Sequence, residues 1–400
     1  MIGDTPRGDR LRIVLFGRRN AGKSSLLNAL CGQPLSIVSS VPGTTTDAVS
    51  KALEIRPLGP VLVTDTAGLD DDGSPLGQQR VERSRKILET ADLAVLALPS
   101  DAKTTEREEA WVKAVKERGT PLVVARTKTD LTASPACEAM ATQWNAIGVC
   151  SPSGEGIDTL RSALLEASPK DWEPPFLADL VRPGEFVVMV VPVDLGAPKG
   201  RLIMPQVKAI RDCLDADAVP VVCKEHELPA MLARLGVAPG LVVCDSQVVD
   251  RASSAVPRNI PFTTFSILSM RQKGDLSTMV DGLGIVDNLR PGDRVLIAES
   301  CAHHPQEDDI GRVKIPRWLD SHVGGALHYT VFPGCAYPDD LAGYALVVHC
   351  GACTMTRREM LRRQEGPRAI GVPMTNYGLL ISHMKGQLPR VLEPFQGRAA

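Results

Sequence analysis

Two short runs near the end of the chain hold the residues best suited to binding a metal directly: Cys301-Ala302-His303 and His349-Cys350-Gly351-Ala352-Cys353. Thiolates and neutral imidazoles are the donors that hold zinc and iron, so three of one and two of the other make a ligand set. Cys301, Cys350 and Cys353 with one histidine satisfy a closed tetrahedral Zn2+ site. The same three thiolates can equally hold a 4Fe-4S cluster, leaving one iron for a weak or exchangeable ligand such as His303 or His349. Spacing alone does not choose between the two metals.

A second constellation lies near the N-terminus. The apolar residues 12–16 feed into Gly17-Arg18-Arg19-Asn20-Ala21-Gly22-Lys23-Ser24, which fits the phosphate-loop pattern G-x-x-x-x-G-K-[ST]. Backbone N–H groups from Gly17 through Ala21 and Gly22 wrap the phosphates, and Lys23 reaches the β- and γ-phosphates. The Ser24 hydroxyl is placed for Mg2+, and the helix from Ser25 onward turns its positive end to the anion. The Thr-rich loop Pro42-Gly43-Thr44-Thr45-Thr46-Asp47 offers Thr45 as a second hydroxyl for the magnesium, or is simply a polar turn. Residues 61–64 form a strand ending in Asp65-Thr66-Ala67-Gly68, where Asp65 can hold the Mg2+ shell and the Gly68 amide can meet the γ-phosphate. Residues 122–125 form another, ending in Thr127-Lys128-Thr129-Asp130. Asp130 can accept the N1 and N2 protons of guanine, which adenine lacks, while the Lys128 stem lies along the base and Ser151 follows from the next loop. The nucleotide expected is GTP, with Lys23, Thr45, Asp65 and Gly68 as the catalytic set.

These four stations, in this order and spacing, resemble the translation-factor-type small GTPases in their tRNA-modification and ribosome-assembly (TrmE-Era) branch, over about residues 10–168. Two positions depart from that family. Thr127 replaces its usual Asn, and Cys150-Ser151 replaces Ser-Ala; both weaken base contacts without removing Asp130. Leu69 also stands where Ras-like GTPases place the Gln that orients attacking water, so hydrolysis should be slow or use another device. The resemblance implies one: an Asn at the position of Asn20 helps hold K+ in similar GTPases that lack the Gln.

The elements that position these residues follow from the punctuation of the chain. The prolines of Ser168-Pro169-Lys170-Asp171-Trp172-Glu173-Pro174-Pro175 break both helix and strand. We expect an α/β protein of three domains, 1–170, 171–262 and 263–400, each with a mainly parallel sheet flanked by helices. The middle one alternates strands at 185–191, 219–223 and 241–244 with helices at 205–214 and 228–235. It shows no phosphate loop, acid pair or nucleophile, so association through an exposed sheet edge or helix face is its expected role. Cys213, Cys223 and Cys244 lie in apolar runs and read as core thiols.

The last domain is expected to have a helix over 267–283 and strands at 294–298, 327–331, 344–348 and 368–372. Ligands of an open parallel sheet bind beyond the carboxyl ends of its strands, where strand order reverses. Cys301 lies just past one predicted strand and Cys350 and Cys353 just past another, so neighbouring tips could unite the thiols. Thr356-Arg357-Arg358-Glu359 reads as a capping box opening a helix through about residue 363, whose positive end would favour thiolates. His304, His322, His328 and His383 read as ordinary surface or core histidines, and Cys335 has no assigned role.

Composition sets the outer limits. Over 400 residues, 45 Lys+Arg against 47 Asp+Glu leave a charge of −2, so no global basic field marks a nucleic-acid or anionic-membrane binder. There is no signal-peptide core and no apolar run near the roughly 20 residues of a membrane span. A cytoplasmic location is expected, and the ten cysteines are then thiols rather than a disulfide framework.

C-x-H followed by H-C-x-x-C, downstream of this GTPase and a middle domain, resembles the HydF family of GTPases that mature FeFe-hydrogenase. Asp309-Ile310-Gly311-Arg312-Val313-Lys314-Ile315-Pro316-Arg317 and Gly371-Val372-Pro373-Met374-Thr375-Asn376-Tyr377-Gly378 carry the same resemblance, which spans essentially the whole chain. It implies a 4Fe-4S cluster on Cys301, Cys350 and Cys353, with His303 and His349 as nearby or exchangeable ligands. It also implies self-association through the middle domain, as a homodimer or tetramer, and a scaffold or carrier role for the di-iron precursor of the hydrogenase active site. The implied partners are the apo-hydrogenase and the two radical-SAM maturation enzymes. The competing expectation is a tRNA-modification or ribosome-associated GTPase with structural zinc, which would bind RNA with a steep salt dependence.

Overall fold

Residue alternation along β1 (Leu11–Phe16) decides the layering of the first part of the chain. Leu11, Ile13 and Leu15 enter a core with Leu26, Leu30 and Leu160, while Val14 and Phe16 enter another with Val112 and Met140. A sheet apolar on both faces needs helices on both, which the chain supplies. The computed structural model describes residues 7–32, 49–56, 58–66, 75–170, 174–193, 202–300, 309–334 and 337–396. The chain divides into two compact units at Trp172 and Glu173, within the proline-rich break.

The first unit adds β2 (Val49–Ile55), β3 (Gly59–Asp65), β4 (Leu93–Pro99), β5 (Leu122–Thr127) and β6 (Ile147–Gly148). Their order is β2-β3-β1-β4-β5-β6. Only β2 runs antiparallel to its neighbour, because a short turn at Gly59 joins it to β3 and leaves no room for a crossover helix. The helix Lys23–Cys31 starts directly after the phosphate loop.

The second unit contains two four-stranded parallel sheets. One is formed by β7 (Phe186–Val190), β8 (Val219–Cys223), β9 (Leu241–Cys244) and β10 (Phe262–Thr264), in the order β10-β9-β7-β8. The other is formed by β11 (Arg294–Glu299), β12 (His328–Pro333), β13 (Leu346–His349) and β14 (Met374–Asn376), in the order β12-β11-β13-β14. The two orders are the same topology. In each sheet the chain goes first to one side of the opening strand and then to the other, so strand order reverses between β7 and β9 and again between β11 and β13.

The repetition extends to side chains. Pro261-Phe262-Thr263-Thr264-Phe265 matches Pro373-Met374-Thr375-Asn376-Tyr377, and Lys273-Gly274 matches Lys385-Gly386. Thr264 and Asn376 cap the following helices Phe265–Lys273 and Tyr377–Met384. Equivalent residues meet where these helices cross: any Cβ on Gly378 would collide with Ser266, so glycine permits the contact. The two lysines reach reciprocally, Lys273 to the turn after β13 and Lys385 to Asp250 after β9. One hydrophobic core runs through both sheets, from Val188 and Val242 to Val295 and Val347.

Two sequence expectations fail here. The helix over 267–283 is broken at Gly274, because Asp275 caps a new helix, Leu276–Asp281, by accepting from the Ser277 and Thr278 N–H groups. Residues 368–372 are not a strand. The helix Arg357–Ala369 runs through Pro367, and the last strand is β14. Proline within a helix removes the donor to the carbonyl four residues back; here that carbonyl, of Arg363, accepts from the Tyr337 hydroxyl at 2.9 Å.

Candidate nucleotide and metal centres

In the first unit the phosphate loop leaves β1 at Gly17, whose φ of 146° and distance of 2.6 Å from a built Cβ to the Ala97 carbonyl exclude any side chain. Lys23 is 8% exposed and donates to the carbonyls of Gly17 at 3.2 Å and Arg18 at 3.0 Å. Arg18 in turn clasps Glu108 with the Nε/Nη2 edge of its guanidinium, one N–H to each carboxylate oxygen. The Ser24 hydroxyl donates to Asp65 Oδ2 at 2.8 Å. Burial pushes the Asp65 carboxyl up, against the lowering effect of Ser24 and Lys23, and its Oδ1 is buried with no hydrogen-bond partner among the described residues. An ionised acid in that setting wants a cation, and an Asp beside a Ser hydroxyl fits the hard-oxygen donor set of Mg2+.

The base loop is tied to the phosphate loop by Thr127. This residue is 1% exposed, and its hydroxyl donates to the Ala21 carbonyl at 2.6 Å, so it braces the loops instead of facing outward. Lys128 adopts φ 55° and pairs with Asp101 at 3.4 Å. Asp130 is exposed, with Oδ1 at 3.8 Å from the Cys150 thiol; half-buried Ser151 follows. Ala21 is buried, Ser25 is exposed, and Asn20 is exposed in the left-handed region at φ 59°. Thr45, Gly68 and Leu69 lie outside the described residues.

In the second unit, β11 and β13 are adjacent and parallel, with Ala298 opposite His349. Their tips form the reversal point of the second sheet. Cys350 begins the turn there, its N–H donating to the Ala298 carbonyl at 3.0 Å. Its sulfur accepts from the Ser300 N–H at 3.2 Å and lies 3.1 Å from the Ser300 hydroxyl. Burial raises this thiol, but the neighbouring His349 imidazole, the Ser300 hydroxyl and the Ala352 N–H outweigh it and lower the pKa to about 6. His349 is fully buried. Its Nδ1 lies 2.7 Å from the Cys350 carbonyl, which can only accept, so Nδ1 carries the proton; the buried Nε2 has no hydrogen-bond partner among the described residues.

The turn itself is held from beneath. Ala352 takes φ 53°, and buried Lys273 donates to the carbonyls of Ala352, Cys353 and Met355 at 3.4, 3.3 and 3.0 Å. Cys353 is half-buried. Thr356 and Glu359 form the capping box of the helix Arg357–Ala369, whose N-terminus therefore opens just beyond Cys353. Across the tip, buried Glu299 takes a two-pronged bond from Arg312, at 3.0 and 2.7 Å. This pair clamps the two ends of the segment that carries Cys301 and His303. Cys301, His303, His304 and Cys335 lie outside the described residues. A thiolate-prone sulfur beside a buried imidazole whose Nε2 has no hydrogen-bond partner among the described residues fits an iron-sulfur or zinc centre.

Sequence reasoning did not single out Ser300, Glu299 or Lys273. The matched Lys-Gly pairs of the two halves were the available signal for Lys273. Cys213, Cys223 and Cys244 are buried in the core, and burial pushes the first two thiols up to about 12 and about 11.

The fold and these centres define a class: a P-loop GTPase domain followed by a duplicated α/β unit with a thiolate-imidazole centre at one strand-order reversal. Family models match in the same order, a 50S ribosome-binding GTPase over 12–128, the hydrogen maturase F dimerization domain over 176–274 and its tetramerization domain over 277–394. The chain belongs to the hydrogen maturase F (HydF) family.

Curated relatives include the tRNA modification GTPase MnmE of Methylococcus capsulatus, 39% identical over 155 residues, covering 39% of this chain and 34% of that protein. The MnmE of Nitrosomonas europaea is 37% identical over 158 residues, covering 40% and 35%. The chain thus spans about a third of the length of these relatives, and the likeness is confined to the GTPase domain. Similar solved structures include the G domain of the T. maritima FeoB iron transporter, at TM-score 0.32 and 22% identity, covering 40% of this chain and 98% of that one. An Aquifex aeolicus Era bound to GDP and AlF4 has TM-score 0.34 and 17% identity, with coverage of 82% and 94%. Among the described residues no helix is long and apolar enough to cross a membrane.

Proposed function

We propose that this chain is a GTP-hydrolysing scaffold of FeFe-hydrogenase maturation that holds a 4Fe-4S cluster, accepts the di-iron precursor and delivers it to the apo-hydrogenase. The observation that carries the reading is Cys350. Its sulfur accepts from the Ser300 N–H at the reversal point of the sheet, beside buried His349, whose Nε2 has no hydrogen-bond partner among the described residues. Cys301, Cys350 and Cys353 would hold the cluster, with His303 or His349 as the exchangeable partner. Bound there, the cluster supplies a coordination position that can be filled and vacated. The surrounding residues keep the site ready: Lys273 fixes the turn, Ser300 stabilises sulfur charge, and Arg312 neutralises Glu299 at the tip of β11.

In the GTPase unit, Lys23, Ser24 and Asp65 would receive the phosphates and Mg2+, with Thr45 and Gly68 completing the catalytic set; Gly17, Ala21, Gly22 and Ser25 line the phosphates. Lys128, Asp130 and Ser151 would select guanine, with Thr127 bracing their loop. Bound Mg2+ neutralises developing phosphate charge. We infer slow turnover stimulated by K+ at Asn20, so hydrolysis should be several-fold faster in KCl than in NaCl; equal rates would remove Asn20 from that role. Self-association fits an exposed strip on the second unit, where Val219 and Val222 of edge strand β8 are 42% and 44% exposed and Leu214 is 57% exposed. The three-domain division, a homodimer or tetramer, the radical-SAM partners and a cytoplasmic location belong to the same proposal.

Activation of an apo-hydrogenase in vitro tests the delivery step. Protein loaded with the precursor should restore hydrogen evolution and Cys350→Ser should not; equal activation by both would refute the assignment of the centre.

A further inference from the structure

We propose that Asp287, His322 and His383 form a binding site for a first-row divalent transition-metal ion, separate from the thiolate centre. The three residues come from three elements of the last sheet's surroundings. Asp287 lies in the 3-10 stretch Gly282–Asn288, His322 in the last turn of the helix Ile315–Val323, and His383 in the last turn of the helix Tyr377–Met384. Their ligand atoms lie within 4.8 Å of one another. Both imidazoles bring the same nitrogen to the same oxygen: His322 Nε2 is 2.8 Å from Asp287 Oδ1, and His383 Nε2 is 3.1 Å from it.

This convergence matches a chelate. At a metal–ligand length of about 2.0–2.1 Å, donors separated by 90–109° at the ion lie roughly 2.9–3.4 Å apart. The rings meet edge to face with centroids 6.3 Å apart, so both nitrogens can address one point without stacking. The bland alternative is a pair of surface histidine–carboxylate bonds, each contributing at most about 1 kcal/mol. It gives no reason for two imidazoles from separate helices to crowd one carboxylate oxygen.

Two histidines and one carboxylate select for borderline ions such as Zn2+, Fe2+ or Co2+ over Mg2+. Side-chain exposures of 60% for Asp287, 32% for His322 and 22% for His383 leave the remaining coordination positions open to water or an added ligand. The set is also specific to this half of the duplicated unit. The position matching His383 in the first half is Arg271, which pairs with Asp179, so these histidines are not carried over from the repeat.

Co2+ is the probe, titrated into the full-length chain without a polyhistidine tag, with excess Mg2+ to occupy the oxygen-ligand site of the GTPase. In a Cys350→Ser background, about one equivalent should bind with visible ligand-field absorption and no thiolate charge-transfer band. His322→Ala and the shape-conserving Asp287→Asn should each weaken that signal at least about 10-fold, with circular dichroism unchanged. Competition by Zn2+ and by Fe2+ then shows which ion the site prefers. Absence of the thiolate-free signal, or its persistence at full affinity in both variants, would overturn the site.

Discussion

Cys350 shows how little of a thiol's chemistry comes from the thiol. Half-buried and desolvated, it should resist ionisation; with Ser300 and the Ala352 N–H donating and His349 alongside, its pKa falls from 9.0 to about 6. The sign is that of a depressed acid. Its ionisation stabilises the metal-free fold most above pH 9, and that contribution is lost as pH falls through about 6. Alkylation of Cys350 in metal-free protein, followed peptide by peptide, should therefore rise with a midpoint near pH 6; a midpoint near 9 would mean that the Ser300 and His349 contacts do not act on it. The sequence displayed the cysteine and histidine types and their spacing. It did not display Ser300 or Lys273, whose contacts are made across 50 and about 80 positions of chain and exist only once β11 and β13 pair.

Elements place these side chains, and the short-range ones were the easiest to read. The capping box at Thr356 and Glu359 is written in four consecutive residues and forms as expected. The end of that helix was misread because Ile370 and Val372 suggest a strand, whereas Tyr337 rescues the carbonyl freed by Pro367 from far away in sequence. Strands β2 and β4 were also not assigned; both became plain only through their neighbours in the sheet. The clamp between Glu299 and Arg312 carries an energetic consequence. Arg312→Leu leaves a carboxylate that is 1% exposed without its partner, and should destabilise the second unit by roughly 3 kcal/mol, the lower end for a broken buried pair because Arg312 is partly exposed. Chemical denaturation measures this directly, and a change under about 0.5 kcal/mol would show that the pair does not clamp the segment.

For the whole molecule, the phosphate loop and its companion motifs fixed the character of the first unit from sequence alone, because GTPase motifs are local and ordered. The sequence reading expects two domains here, each with a parallel sheet, and the structure adds that the two halves share strand order, helix caps and reciprocal lysines. The sequence trace of this repetition is Pro261-Phe262-Thr263-Thr264-Phe265 against Pro373-Met374-Thr375-Asn376-Tyr377, but a repeat with differing loops is hidden by its insertions. Duplication gives the protein two equivalent strand-order reversals, of which the second carries the thiol turn. Where Cys350 follows β13, Asp245 follows β9. The phosphate loop and the Cys350 turn thus belong to separate compact units, and under the proposed function damage to one should leave the other able to bind its ligand.

Iron and sulfide content with the absorption spectrum, measured on anaerobically purified and reconstituted wild type, Lys23→Ala and Cys350→Ser, tests the central claim most directly. The expected result is a brown wild type with a full 4Fe-4S complement, a Lys23→Ala variant that keeps it while losing GTP hydrolysis, and a colourless Cys350→Ser. A colourless, zinc-loaded wild type, or a Cys350→Ser variant that retains the cluster, would contradict it.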